Sequence, residues 1–96
     1  TPYPPAVLRL IKKTIEFGHA EDIWVGMCGE AAGDELLLPF LLGAELDEFS
    51  MSAVSILKVK KLMTKWEKSE AKEVTKKVLS LKTAKEVKNY LKEIKR

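Results

Sequence analysis

Residues 23–34 read Ile23-Trp24-Val25-Gly26-Met27-Cys28-Gly29-Glu30-Ala31-Ala32-Gly33-Asp34. A β-branched and aromatic run leads into two glycines that flank a cysteine, and a leucine-rich stretch follows. That order predicts a strand over residues 23–27, a tight turn, then a helix. Glycines on either side of Cys28 let the backbone turn sharply and let a ligand come close. Barrels and open α/β sheets place their chemistry at the carboxyl ends of strands, so Cys28 is the candidate reactive group. Three roles fit a thiol there: a buried structural side chain, a redox-sensitive thiol, or a catalytic group. With one cysteine the chain forms no internal disulfide and offers no resolving thiol. That fits a reducing compartment, most simply the cytoplasm.

Downstream of the turn, residues 35–42 are apolar on nearly every side and predict a buried helix ended by Gly43. Pro39 interrupts it, so the helix begins near Pro39 or a short turn precedes it. Residues 46–51 alternate apolar with polar and predict a second strand. A strand, helix, strand sequence makes parallel neighbours joined by a right-handed crossover. Asp47 and Glu48 are adjacent in that strand and point to opposite faces, so they are not a paired-carboxylate site. Glu30 is read as a carboxylate favoured at a helix start, with a second acid in the site as the other option.

Upstream, Pro4 and Pro5 suit a helix entry, and Val7, Leu8, Ile11 and Ile15 recur at helical spacing over residues 6–17. Gly18 then reads as a stop. His19 is the only histidine. A Cys-His pair is conceivable, but the predicted strand separates His19 from Cys28 at about 3.3 Å per residue, beyond hydrogen-bond reach. His19 is therefore read as a loop residue.

Beyond the second strand, Ser52 or Ser55 caps a helix running to about Trp66, with Ile56, Val59, Leu62 and Met63 at helical spacing. Ser69 opens a further helix through Leu81. Thr83 with Glu86 forms a capping box for a last helix over residues 84–94, whose inner stripe is Val87, Tyr90, Leu91 and Ile94.

Ninety-six residues, 46% hydrophobic and 32% charged, describe one small globular domain. Residues 1–53 hold three bases against nine acids, while residues 54–96 hold fourteen bases against five acids. The bases of the second half are nearly all lysines interleaved with glutamates on amphipathic helices. That pattern is a solvated face rather than a nucleic-acid footprint. Abundant lysine and glutamate also fits a heat-loving source. The longest apolar run, Leu36 to Leu42, contains Pro39 and is too short for a membrane span. The chain starts Thr-Pro-Tyr-Pro-Pro without a methionine, so a piece of a longer protein is expected. Two parallel strands with about five helices are an incomplete fold, because parallel sheets need neighbours and cover on both faces. The expected class is α/β, and the alternation of helix and strand fits the closing units of a (β/α)₈ TIM barrel.

The stretches Gly26-Met27-Cys28-Gly29-Glu30-Ala31-Ala32-Gly33-Asp34, Leu41-Leu42-Gly43 and Leu46-Asp47-Glu48-Phe49-Ser50-Met51-Ser52-Ala53 together resemble the C-terminal region of the Enzyme I family. These are the phosphoenolpyruvate–protein phosphotransferases of the bacterial sugar phosphotransferase system. Residues 5–12 and His19-Ala20-Glu21 resemble the preceding helix and loop of that family. Pyruvate phosphate dikinase and phosphoenolpyruvate synthase share the Cys-Gly pattern but differ in the last strand. The resemblance implies that the chain is the last quarter of a phosphoenolpyruvate-binding (β/α)₈ barrel, with barrel units over 1–66 and C-terminal helices over 67–96, and that the barrel dimerises, works with magnesium and is cytoplasmic. It implies transfer of the phosphoryl group to a histidine on a separate domain and on to the phosphocarrier HPr. Cys28 matches the family's acid at substrate carbon 3, which protonates the pyruvate enolate. The magnesium ligands, the phosphate-binding arginines and the phosphorylated histidine are expected upstream, so His19 inherits no such role. Two positions depart from the family pattern. Glu45 stands where glycine is frequent, which is expected to alter the turn before the last strand. Leu57 stands where a proline often starts the eighth helix, so that helix start is expected to shift or fray. The fragment alone is expected to be inactive. The competing expectation is a non-enzymatic, lysine-rich helical interaction module.

Overall fold

Two prolines set the first element. In the computed structural model, which describes residues 4–28, 34–50 and 53–96, and the side chains of all but residues 28, 50, 53 and 54 among these, Pro5 opens α1 (Pro5–Ala20). The carbonyl of Pro4 accepts from the amides of Val7 at 3.0 Å and Leu8 at 3.2 Å. Leu8 and Ile15 turn inward and are buried. The helix does not stop at Gly18 but runs on to Ala20. Gly18 is needed for another reason: a β-carbon there would overlap Cγ2 of Val25, so the missing side chain lets the end of α1 lie against the entry to the first strand. The amide of Ile23 donates back to the Gly18 carbonyl at 2.7 Å and closes that corner.

The first strand is β1 (Gly26–Cys28), shorter and later than the predicted span. Ile23 and Trp24 lie outside it and are exposed, so their β-forming character was not a strand signal here. After a turn over residues 35–37, α2 (Leu38–Gly43) follows, with Pro39 in its first turn, where a missing amide costs nothing. The carboxylate of Asp34 accepts from the amide of Leu36 at 2.9 Å and holds that turn. Leu38, Pro39, Phe40, Leu41 and Gly43 are all buried, as the all-round apolar pattern required.

The second strand, β2 (Glu48–Ser50), pairs with β1 in parallel. Gly26 faces Glu48, Met27 faces Phe49 and Cys28 faces Ser50. Next comes α3 (Ala53–Met63), which begins four residues before Leu57 and holds it as an interior position. The two residues expected to cap it differ in standing: Ser52 lies outside the described residues, and Ser55 sits inside the helix. α4 (Lys68–Ser80) is capped by Glu67 rather than opened by Ser69, with the Glu67 amide donating to Oε1 of Glu70 at 3.1 Å. α5 (Ala84–Glu93) starts as expected: Oγ1 of Thr83 accepts from the Glu86 amide at 3.1 Å.

One core joins these parts. Leu8 and Ile15 of α1, Phe40 and Leu41 of α2, Val74 and Val78 of α4, and Val87 and Leu91 of α5 pack into a single cluster. Among the helices, α2 packs most extensively on α4. A β-carbon on Gly43 would overlap the carbonyl oxygen of Ala71 and the hydroxyl of Thr75. That hydroxyl is buried and lies 2.8 Å from the Phe40 carbonyl and 3.1 Å from the Ala71 carbonyl, donating across the seam. The described residues therefore form a helix-rich α/β unit: two parallel strands and five helices. No helix among them is long and apolar enough to cross a membrane.

Candidate active site

A parallel pair of strands has two unlike ends. At the carboxyl end, Cys28 is the last residue of β1 and faces Ser50, the last of β2. The thiol itself, residues 29–33 with the expected turn and Glu30, and Met51-Ser52 lie outside what the structure describes. The backbone thus puts Cys28 where the strand-turn-helix reading expected it, at a strand's carboxyl end.

The amino end is held by side chains. Val25 and Asp47 each stand one residue before their strand. Oδ2 of Asp47 accepts from the Val25 amide at 2.7 Å. The Val25 carbonyl accepts in return from the amides of Asp47 at 3.0 Å and Glu48 at 3.3 Å. The same Oδ2 lies 2.7 Å from Nε2 of His19. The Val25 amide and, after it, His19 hold the Asp47 carboxyl below its ordinary range. With Asp47 ionised, Nε2 of His19 carries the proton and donates it to the carboxylate.

This corrects the sequence reading of His19. It is not a loop residue but part of the last turn of α1, and its partner is Asp47. The error came from ending α1 at Gly18. A local signal for the pair is weak, because the two residues stand 28 positions apart. Asp47 acts at the amino end, away from Cys28.

A hollow of about 540 Å³ lies at this same amino end, lined among others by His19, Asp47, Glu45, Trp66 and Lys68. Its charges already have partners. Glu45 pairs with Lys68 at 3.3 Å and Lys72 at 3.6 Å, and Lys68 above all keeps its carboxyl low. Beside the hollow, Arg96 stacks over Trp66 at 3.9 Å from the ring centroid and grips Glu70 with both guanidinium nitrogens at 2.9 and 2.8 Å. Arg96 also donates to the Lys65 carbonyl at 2.8 Å, tying the end of α5 to the α3–α4 junction. Sequence reasoning missed this knot, since 26 residues separate Glu70 from Arg96. Among the described residues, no group of three histidine, cysteine or acidic side chains is placed to hold a metal ion.

Residues 1–68 match the model of the family described as PEP-utilising enzyme, PEP-binding domain. The chain is 54% identical over 92 residues to the phosphoenolpyruvate-protein phosphotransferase of Bacillus subtilis (strain 168), covering 96% of this chain and 16% of that protein. It is 51% identical over 92 residues to the protein of the same name from Staphylococcus carnosus (strain TM300), with the same coverages of 96% and 16%. Against that of Geobacillus stearothermophilus it is 53% identical over 91 residues, 95% of this chain and 16% of the relative. The chain thus spans about a sixth of the length of these relatives.

Proposed function

The chain belongs to the family of PEP-utilising enzymes, within their PEP-binding domain, and from that premise we propose that it forms the last part of the catalytic barrel of a phosphoenolpyruvate–protein phosphotransferase. Residues 1–66 serve as the closing barrel units and residues 67–96 as the helices that pack behind them. The reading is favoured over the related dikinase and synthase by about 50% identity to proteins named phosphoenolpyruvate-protein phosphotransferase along nearly the whole chain.

The observation that carries the chemistry is the place of Cys28: last in β1, in register with the last residue of the neighbouring parallel strand. When the phosphoryl group leaves phosphoenolpyruvate for a histidine elsewhere in the enzyme, the bridging P–O bond breaks and an N–P bond forms. The remaining enolate needs a proton on carbon 3. A thiol at the mouth of the barrel supplies it, acting as a general acid, and the thiolate regains a proton from solvent. Nothing in this step asks Cys28 to be a nucleophile. Magnesium would support the phosphoryl transfer through residues beyond this chain. HPr as acceptor, dimerisation through the barrel and a cytoplasmic location belong to the same reading.

The surface of the isolated chain supports a role as one part of a larger barrel. Val7, Leu10 and Phe17 share the outer face of α1 at helical spacing and are exposed, as are Ile23 and Trp24 ahead of β1. On this reading residues 1–96 alone carry no phosphotransfer. In the full-length protein, Cys28→Ala is expected to slow pyruvate formation by about 10²- to 10⁴-fold while leaving the melting temperature in place. Unchanged turnover in a phosphoenolpyruvate-dependent assay would remove Cys28 from the mechanism.

A further inference from the structure

Strands of three residues make few ladder hydrogen bonds, so their register depends on what holds their ends. At the amino end of β1 and β2 a single carboxylate oxygen, Oδ2 of Asp47, takes both the Val25 amide and Nε2 of His19, each at 2.7 Å. Three elements meet there: the last turn of α1, the entry to β1 and the entry to β2. Gly18 brings the first two together by leaving room for Val25. His19 and Asp47 are both only partly exposed, at 34% and 23% of their side-chain surface. The geometry limits the freedom of the carboxylate, because rotating it toward solvent breaks two short bonds at once.

We propose that His19 and Asp47 are a positioning pair for Cys28. Asp47 pins Val25 to the start of β2, and His19 fixes the carboxylate that does so. Because Cys28 follows Val25 by three residues in an extended segment, the height of Cys28 beside Ser50 is set at the far end of the strands. A slip of one residue displaces the chain by about 3.3 Å and exchanges the two faces of the strand. A general acid displaced from carbon 3 by even about 1 Å loses much of its effect. The proposal rests on the reading of Cys28 as the enolate's acid. Neither His19 nor Asp47 is a catalytic residue; both act through the strand.

The test uses the full-length protein with His19→Ala, His19→Gln and Asp47→Ala, and Cys28→Ala as reference. Glutamine keeps an N–H donor on an arm of similar reach, so it should restore what alanine loses. Two quantities separate positioning from mere support. The first is kcat against KM for phosphoenolpyruvate. The second is deuterium uptake at the methyl group of pyruvate in heavy water, where a C–H bond is broken to the Cys28 thiolate and a solvent deuteron is delivered back. His19→Ala and Asp47→Ala are expected to lower kcat and deuterium uptake roughly tenfold with KM within about twofold, and His19→Gln to recover most of the loss. Amide exchange at Met27 and Cys28 should rise in both alanine variants, whatever the chemistry of the thiol. Faster exchange with normal kcat and normal deuterium uptake would reduce the pair to a structural staple and overturn the proposal. Unchanged exchange in His19→Ala would overturn it as well, and this variant serves even where Asp47→Ala does not fold. Full turnover by Cys28→Ala would sink the functional reading itself. That outcome is distinct, because failure of the pair alone leaves Cys28→Ala inactive and His19→Ala active.

Discussion

The seam between α2 and α4 and the outer side of α1 show the chain treating apolar surface in opposite ways. At the seam, Phe40, Leu41 and Val78 are fully buried, a glycine removes the last obstacle, and the one buried hydroxyl, among the described side chains, has two carbonyls to bond. On α1, Leu8 and Ile15 face the same core, but Leu10 is 65% exposed and Phe17 73%, with Trp24 at 70% beyond them. One side of the chain satisfies itself; the other leaves large apolar side chains exposed. A substitution should therefore be judged by which side it falls on.

The paired glycines give the largest contrast. Gly43→Ala drives a β-carbon into backbone, the Ala71 carbonyl, and into the Thr75 hydroxyl. The backbone carbonyl does not move without parting α2 from α4. A loss of about 3 kcal/mol is expected in denaturant unfolding of the full-length protein, toward the upper end for overpacking. Gly18→Ala on α1 meets a valine methyl. Here alanine's better helix propensity, worth about 1 kcal/mol, offsets part of the overlap. A net loss of about 1 kcal/mol is expected. Equal losses at both positions would erase the distinction between the two sides.

The same contrast decides what could be read from the sequence. Where partners lie within a few residues, the rules placed an element to within two residues. Thr83 and Glu86 are three apart, and the start of α5 was legible. The all-round apolar character of residues 35–42 announced burial, and residues 37–41 are buried while Glu35, Leu36 and Leu42 are only partly so. The start of α4 was misplaced by two residues because Ser69 resembles a cap, while the Glu67–Glu70 pair uses the same spacing with less familiar residues. Where partners lie far apart in sequence, local rules misled. Gly18 looked like a helix stop because glycine usually is one; its actual reason, the approach of Val25, exists only in three dimensions. His19 with Asp47 and Glu70 with Arg96 left no local trace. The position of Cys28 at a strand end was legible because a strand and the glycines that flank its cysteine are local in sequence. What orients that strand was not.

The Glu70–Arg96 knot provides a pH test on the self-contained side. Two charge-assisted bonds from Arg96, and then the Glu67 amide, hold Glu70 at about 2 against an ordinary value of 4.5. A carboxyl lowered on folding adds stability that is fully present above its unfolded value and fades as pH falls through its folded one. The melting temperature of the native protein should thus exceed that of Glu70→Gln above about pH 4.5 and converge on it as pH approaches about 2. A gap that persists undiminished at pH 2 would mean that Glu70 acts through packing, not charge.

The smallest expected effect tests the departure at Glu45, which joins the two sides by leading from α2 into β2. Its φ is 66°, the left-handed region that glycine enters freely. The turn thus keeps a conformation suited to glycine while carrying a side chain. For a non-glycine residue that conformation costs about 1 to 2 kcal/mol. Its carboxylate reaches Lys68 and Lys72 at the start of α4, but both lysines are more than half exposed. Each such pair is worth about 0 to 1 kcal/mol. Glu45→Gly would relieve the strain, lose the pairs, and loosen the unfolded chain by about 0.5 to 1 kcal/mol. The three effects nearly cancel, so the unfolding free energy should change by less than about 1 kcal/mol. Repeating the substitution in a Lys68→Ala, Lys72→Ala background removes the pairs from both states, and Glu45→Gly should then be more favourable. If glycine is no better in that background, the ion pairs are not what compensates glutamate for its strained backbone.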